Sequence, residues 1–324
     1  MKKILLLHTG GTIAMEENNE GNGIRLSENH PLSGLQSQLQ SIASIHSEEV
    51  FNLPSPHIGP KTVLELANYI RDRVAKERFD GVVITHGTDT LEETAYMLEL
   101  LSPCQQPIVL TGAMKPSNER GSDGPNNVIS AVRVAACQEA VNLGVVVVMN
   151  DEIHSAKYVT KMHTSSVAAF ESPLSGPLGI VIKNDVIFYH YPKRERAVSI
   201  NEIEKKVHLL KLYSGIEYET LEWMEKMNLD GLVIEAFGSG NVPPEVVPFI
   251  KRLLKRHIPV VVVSRSVKGT VQGVYSYEGG GSQLQDLGVI FLKGLSGQKA
   301  RIKLLLFLHE TTSIPKLEKM LHEK

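Results

Sequence analysis

The stretch Gly81-Val82-Val83-Ile84-Thr85-His86-Gly87-Thr88-Asp89-Thr90-Leu91-Glu92 runs from an apolar segment into polar residues and then into a helical pattern. An unbroken β-branched run of this kind reads as a strand buried on both faces, and Leu91–Leu101 carries apolar residues at helical spacing. Outward from this unit, Lys2–Leu7, Pro107–Leu110 and Gly144–Met149 are further apolar runs. Helical patterns over Thr62–Lys76 and Asn127–Val141 separate them, with Gly59-Pro60 and Pro125 as start signals. Strands alternating with helices predict a parallel sheet covered on both faces. Such sheets bind ligands beyond the carboxyl ends of their strands, so the polar residues after each run are the ones to examine.

Further along, Gly179–His190 reads as a hairpin with Asn184-Asp185 at its turn. Tyr191–Ala197, with Pro192 and the charges of Lys193, Arg194, Glu195 and Arg196, reads as a connection between domains. The alternation then restarts: strand Gly231–Ala236, helix Pro244–Arg256, strands Pro259–Val263 and Gly288–Leu292, helix Gln298–His309. The expected fold is α/β. A larger N-terminal domain (1–191) has a mostly parallel, doubly wound sheet plus a hairpin, and a linker (192–210) leads to a smaller C-terminal α/β domain (211–324).

Bulk properties narrow the function by exclusion. The 324 residues are 42% apolar and 22% charged, as in a globular protein with a large core. A net charge of -2 gives no reason to expect nucleic acid or an anionic membrane as partner. The apolar run after Lys2-Lys3 ends at Leu7, short of the roughly 7–15 residues of a secretory core. Cys104 and Cys137 have neither metal-ligand nor disulfide-framework spacing, which together with the short N-terminal run predicts a cytoplasmic protein. The 12 histidines form no His-Glu-x-x-His pair, so no metal is expected. A Gly-x-Ser-x-Gly elbow and a Walker loop are also lacking, so neither a serine-hydrolase site nor a nucleotide cofactor is expected.

Three strand ends carry the chemistry. His8-Thr9-Gly10-Gly11-Thr12-Ile13-Ala14 follows the first run, and its paired glycines permit a sharp turn and close approach to a ligand. Thr88 and Asp89 fall near a helix N-terminus, where amides and dipole favour anions; as residue types they also suit a plain helix cap. Thr111-Gly112-Ala113-Met114-Lys115 and Gly121-Ser122-Asp123-Gly124-Pro125 form the third. A threonine hydroxyl needs a proton acceptor before it attacks, and a lysine amine serves when it is held neutral. Lys161, in Thr160-Lys161-Met162-His163-Thr164-Ser165, is the candidate.

Taken together these segments resemble the bacterial-type L-asparaginase/glutaminase family. Thr9-Gly10-Gly11-Thr12-Ile13-Ala14 is similar to its first signature and His86-Gly87-Thr88-Asp89-Thr90 to its second. The similarity continues through Gly112-Ala113-Met114, Ser122-Asp123-Gly124-Pro125, Thr160-Lys161, Gly238-Ser239-Gly240-Asn241 and Gln298-Lys299-Ala300-Arg301. The resemblance implies hydrolysis of L-asparagine to L-aspartate and ammonia without a cofactor, with minor glutaminase activity besides. It implies Thr12 as nucleophile, Thr88, Asp89 and Lys161 as a second catalytic cluster, and oxyanion contacts from the backbone near Thr88 and Ala113. Substrate binding would involve Gly11, Ser55, Thr88, Asp89 and Ala113, with Asn241 and Glu278 supplied across an interface of a homodimer or homotetramer.

Two departures stand out. Pro56 occupies a position where the family often has a hydrogen-bonding side chain, and His57 is a substitute beside it. Met15–His30, the expected mobile lid with its acidic, Asn/Gly-rich Glu16–Gly23, contains no tyrosine to contact Thr12. Either Tyr158, Tyr275 or Tyr277 replaces it, or Thr12 is activated through the Thr88 cluster and water. Two rival readings are an ammonia-releasing amidotransferase subunit and a non-catalytic amino-acid sensor. The intact set Thr12, Thr88, Asp89 and Lys161 disfavours a sensor, since binding alone does not need two hydroxyls and an amine together.

Overall fold

The computed structural model describes residues 1–17, 24–26, 34–102 and 104–323. They form two compact units, Met1–Ala197 and Val198–Lys324. The first unit is built on an eight-stranded sheet. Across it lie Asp185–Phe188, Gly179–Ile182, Glu152–Ser155, Val145–Met149, Ile108–Thr111, Gly81–Thr85, Lys3–His8 and Ser44–Glu49. The last five are mutually parallel and the first three are antiparallel additions.

The apolar runs behave as their composition requires. Val82, Val83, Ile84, Val109, Leu110, Val146, Val147 and Val148 have no exposed surface, because helices cover both faces. Pro60–Lys76 and Leu91–Leu101 are helices as expected. The first starts on Pro60 and ends with Arg73 and Lys76 in its last turn, favourable placements for both. The helix expected over Asn127–Val141 runs instead from Gly124 to Ala136, then breaks at extended Cys137 before a short 3-10 turn. The hairpin turn falls on Lys183-Asn184, with Lys183 at φ 55° and Asp185 already in the returning strand.

Ser44–Glu49 is an addition to the sequence reading and matters for the site. It pairs outside Lys3–His8, while the next strand in the chain, Gly81–Thr85, pairs on the other side. The chain thus reverses direction across the sheet at Lys3–His8, and a crevice opens at the carboxyl ends of these strands, the usual ligand position in doubly wound sheets.

The stretch expected as linker, 192–210, is tied down at both ends. Arg194 donates to the carbonyls of Ser102 and Cys104, and Glu195 is ion-paired with Lys157. Val207–Lys211 is the first strand of the second unit, so the expected linker runs into that strand. This unit has a four-stranded parallel sheet in simple order, Val207–Lys211, Gly231–Ala236, Val260–Ser264 and Ile290–Phe291. Helix Val246–Lys255 buries Val246, Val247, Phe249, Ile250 and Leu253 in the unit's core, while Gly297–Phe307 packs on the same sheet and is itself almost wholly buried.

Candidate active site

Glycine packing draws the three strand ends of the first unit together. Gly10 and Gly11 have φ of 98° and 85°, a region that side chains strain to occupy. A Cβ on Gly11 would lie 2.2 Å from the Gly87 Cα, and one on Gly87 would lie 2.7 Å from the Ser55 Cβ. A Cβ on Gly112 would meet the His86 carbonyl oxygen at 2.5 Å. Backbone therefore touches backbone between Gly11 and Gly87 and between Gly112 and His86, the Gly87 backbone packs on the Ser55 side chain, and Thr12 and Thr88 each directly follow one of the touching glycines. Thr12 opens a 3-10 turn, Thr12–Ala14, closed by the Ala14 amide donating to the Gly11 carbonyl at 2.9 Å.

Thr88 and Asp89 are not the helix cap. That place belongs to Thr90, whose hydroxyl donates to the Ser55 carbonyl at 2.8 Å and so ties the Ser55–His57 turn to the second signature. Thr88 and Asp89 turn instead toward Lys161. Its Nζ donates to Thr88 Oγ1 at 2.9 Å and to Asp89 Oδ1 at 2.7 Å. Thr88 is buried, Lys161 is half-buried and the Asp89 side chain is 62% exposed, so the triad sits with its acid end open to solvent. A cavity of about 230 Å³ lies there, lined by Asp89, Lys161, Met162, His163 and Thr164.

Supporting contacts reach further than the sequence reading did. Glu92 Oε1 accepts from the Thr160 hydroxyl at 2.9 Å and the Lys161 amide at 3.3 Å. The Asp123 carboxylate accepts from the amides of Met114 and Lys115 and from the Asn127 side chain. Asn127 also donates to the Gly112 carbonyl, so the loop carrying buried Ala113 is held at both ends. The mixture of Asp and Asn at a helix start was visible in the sequence, but the partners it would bind were not.

The two signature histidines are structural. His86 is fully buried, and that burial lowers its pKa to about 4, so it stays neutral. Its Nδ1 donates to the Gly87 carbonyl at 2.7 Å and its Nε2 accepts from the Thr94 hydroxyl at 3.1 Å. His8 links the Thr85 and Ser47 hydroxyls at 2.8 and 2.9 Å, stapling neighbouring strands. Among the described residues no group of three or more His, Cys, Asp or Glu is placed to hold a metal ion. No helix among them is long and apolar enough to cross a membrane.

Ser55 is buried, while Pro56 and His57 are exposed beside it. Most of the expected lid, from residue 18 to 23 and from 27 to 30, lies outside the described residues. Of the candidate tyrosines, Tyr158 packs against the Lys157 ammonium, 5.5 Å from its ring centre. Tyr275 and Tyr277 are exposed and stack on each other at 5.6 Å in the second unit. There Asn241 accepts from the Gly281 amide at 3.1 Å, and Val242 donates to the Gly279 carbonyl at 2.9 Å. These bonds draw the turn bearing exposed Glu278 to the end of the Gly231–Ala236 strand, beside Asn241.

Comparison with known proteins identifies the family. Residues 3–194 match the family described as "Asparaginase, N-terminal", and residues 206–321 match the "Glutaminase/Asparaginase C-terminal domain". A probable L-asparaginase of Deinococcus radiodurans is 37% identical, covering 95% of this chain and 94% of its own. A glutaminase-asparaginase of Pseudomonas fluorescens is 29% identical, covering 100% and 91%. The crystal structure of a probable cytoplasmic L-asparaginase from Campylobacter jejuni superposes over 100% of both chains with a TM-score of 0.89 at 34% identity. With both family domains matched in order across nearly its whole length, and the signature segments meeting at one strand-end crevice, the chain belongs to the asparaginase family.

Proposed function

We propose that this chain is an L-asparaginase, an amidohydrolase that converts L-asparagine and water to L-aspartate and ammonia. The observation that carries the reading is the Lys161 Nζ held at hydrogen-bond distance from both Thr88 Oγ1 and Asp89 Oδ1, in the crevice where the Gly11 and Gly87 backbones touch. Thr12 Oγ attacks the side-chain amide carbon, and its proton passes through the site to the departing nitrogen. The C–N bond breaks, ammonia leaves, and the acyl group rests on Thr12 as an ester. Water then adds to that ester. Lys161, acting through the Thr88 hydroxyl, relays the water's proton to Thr12 Oγ as the ester C–O bond breaks, and Thr12 is released with its hydroxyl restored.

The remaining roles follow from what each group can offer. Asp89, open to solvent at one end of the triad, holds Lys161 and accepts the substrate's α-ammonium. Buried Ser55 and the Gly11 backbone face the α-carboxylate. The oxyanion is met by backbone donors near Thr88 and Ala113; the Met114 and Lys115 amides already bond Asp123, so Ala113 is this loop's donor. No cofactor enters these steps. Asn241 and Glu278 of one protomer complete the site of another in a homodimer or homotetramer, a reading supported by the bond that draws the Glu278 turn beside Asn241. Similarity to the Campylobacter jejuni protein supports a cytoplasmic location and to the Pseudomonas fluorescens protein a minor glutaminase activity.

The test is ammonia release from L-asparagine and from L-glutamine by the purified protein beside Thr12→Ala and Thr88→Ala. The expected result is release from asparagine that both substitutions abolish. A folded protein that binds asparagine and releases no ammonia overturns the reading in favour of a sensor.

A further inference from the structure

Thr88 and Asp89 precede one helix while Lys161 lies on a separate ladder, so their separation must be set by something besides their own contacts. The ladder is too short to do this. It pairs Thr160–Lys161 with Phe170–Glu171, with one further bond from the Met162 amide to the Ala169 carbonyl, and an isolated two-stranded ribbon is marginal even when longer. One group joins the two pieces directly. Glu92 lies in the first turn of the Leu91–Leu101 helix, about one helical turn beyond Thr88. Its Oε1 accepts from both the Thr160 hydroxyl and the Lys161 amide.

Glu92 is only 6% exposed, in a helix buried at every position but Glu93. A carboxylate removed from water to this degree costs stability unless donors meet it, and the helix N-terminus favours its charge. Two such donors are the Thr160 hydroxyl and the Lys161 amide. We infer that Glu92 is a positioning residue, which grips Thr160 and the Lys161 backbone with one carboxylate oxygen and thereby sets the Lys161 amine against Thr88 and Asp89. The inference rests on Lys161 acting in the proposed reaction. Because both bonds end on a single oxygen, a glutamine amide oxygen in its place can accept the same two bonds.

The experiment compares Glu92→Ala, Glu92→Gln, Thr160→Val, Thr160→Ser and Lys161→Met in the full chain. It measures kcat and KM for L-asparagine and the folded fraction of each variant. Glu92→Ala is expected to lower kcat about 10- to 100-fold with KM changed less than about threefold, the usual consequence of misplacing a reacting group by ~1 Å. Glu92→Gln restores kcat to within about fivefold of wild type, Thr160→Val loses part of it and Thr160→Ser regains it. The double variant Glu92→Ala/Thr160→Val is no slower than Glu92→Ala alone, since both remove one connection.

Wild-type kcat in Glu92→Ala beside an inactive Lys161→Met overturns the positioning role and leaves the proposed reaction standing. An active Lys161→Met overturns the reaction reading beneath it. A loss in Glu92→Gln as deep as in Glu92→Ala, or a loss that merely tracks the folded fraction, also overturns the role. Should Glu92→Ala not fold, an unchanged kcat in Thr160→Val overturns it.

Discussion

Gly11 and Gly87 meet backbone to backbone, with 2.2 Å between the Gly87 Cα and the place a Gly11 side chain would begin. Nothing flexible stands there to give way, and Gly11 also holds φ 85°, where an L side chain is strained. Gly11→Ala is therefore expected to cost more than about 2 kcal/mol of stability and to abolish turnover by parting the two signatures. Gly34→Ala, where a Cβ meets nothing within 4 Å, is the control and should stay within about 1 kcal/mol of wild type. Urea midpoints and asparagine turnover on both variants decide it. A stable, active Gly11→Ala would show that the crevice can widen without loss.

The Lys161–Asp89 pair should matter for chemistry and little for folding. Its Asp89 end is 62% exposed, and ion pairs in that setting contribute at most about 1 kcal/mol. Lys161→Met is expected to reduce kcat by more than about a thousandfold while shifting the melting midpoint by less than about 4 °C. A collapse of the midpoint in step with activity would make Lys161 a structural residue.

Asp123 gathers the Met114 and Lys115 amides and the Asn127 amide group on one carboxylate. Asp123→Ala leaves those donors unmet and should destabilise the protein by about 1–3 kcal/mol. Because the same loop carries Ala113, kcat should fall further than the folded fraction does. Asp123→Asn sets an amide nitrogen against a donor and is expected to recover only part of the loss. Retention of full kcat in Asp123→Ala would remove this loop from the oxyanion site.

Two buried groups oppose each other in acid. Burial raises the Glu99 pKa to about 7, against hydrogen bonds from the Val145 and Glu195 amides and the charge of Arg194. Glu99 thus binds more protons folded than unfolded. Its contribution is fully present below about 4.5 and is lost as pH rises through about 7. His86, lowered to about 4, binds fewer protons folded than unfolded. Its contribution is present above about 6.5 and lost as pH falls through about 4. Between these limits the two slopes cancel. Glu99→Gln removes one of them, so its stability should fall on acidification from pH ~6.5 to ~4 by on the order of 3 kcal/mol more than that of wild type. Denaturant midpoints across that range test it, and parallel profiles for the two proteins would mean that one of the shifts is absent.

The sequence was legible where chemistry is local. Fully buried strands such as Gly81–Thr85 appeared as unbroken apolar runs because no face of theirs meets water. Ser44–Glu49 was not legible, since Ser44-Ile45-His46-Ser47-Glu48-Glu49 is an edge strand with no fully buried residue and no apolar run. Glu152–Ser155 was missed although a signal existed: Asn150 and Asp151 both take positive φ, 49° and 61°, the two-residue turn that such residues favour between antiparallel strands. Thr12, Thr88, Asp89 and Lys161 were named from motifs, yet the contact of Lys161 with Thr88 spans a sequence gap that no spacing rule covers. Glu92 was invisible as a partner for the same reason, lying just past the second signature but pairing with residues far along the chain.

Asn241 accepts from the Gly281 amide and so fixes a rigid edge at the carboxyl end of the Gly231–Ala236 strand, where exposed Glu278 also stands. If this edge completes a neighbouring protomer's site, mutants should complement. Thr12→Ala and Asn241→Ala homo-oligomers are each expected to be nearly inactive. In a two-fold mixed oligomer, one site draws Thr12 from the first variant's partner and Asn241 from the other protomer, and is wild type. Co-expression with random pairing should then recover about a quarter of wild-type turnover, because about half of the dimers are mixed and each has one intact site of two. Differently tagged copies, purified through both tags, would raise that to about half. Activity no higher than that of the single variants, in a mixed oligomer confirmed by both tags, would place Asn241 and Thr12 of the same protomer in one site.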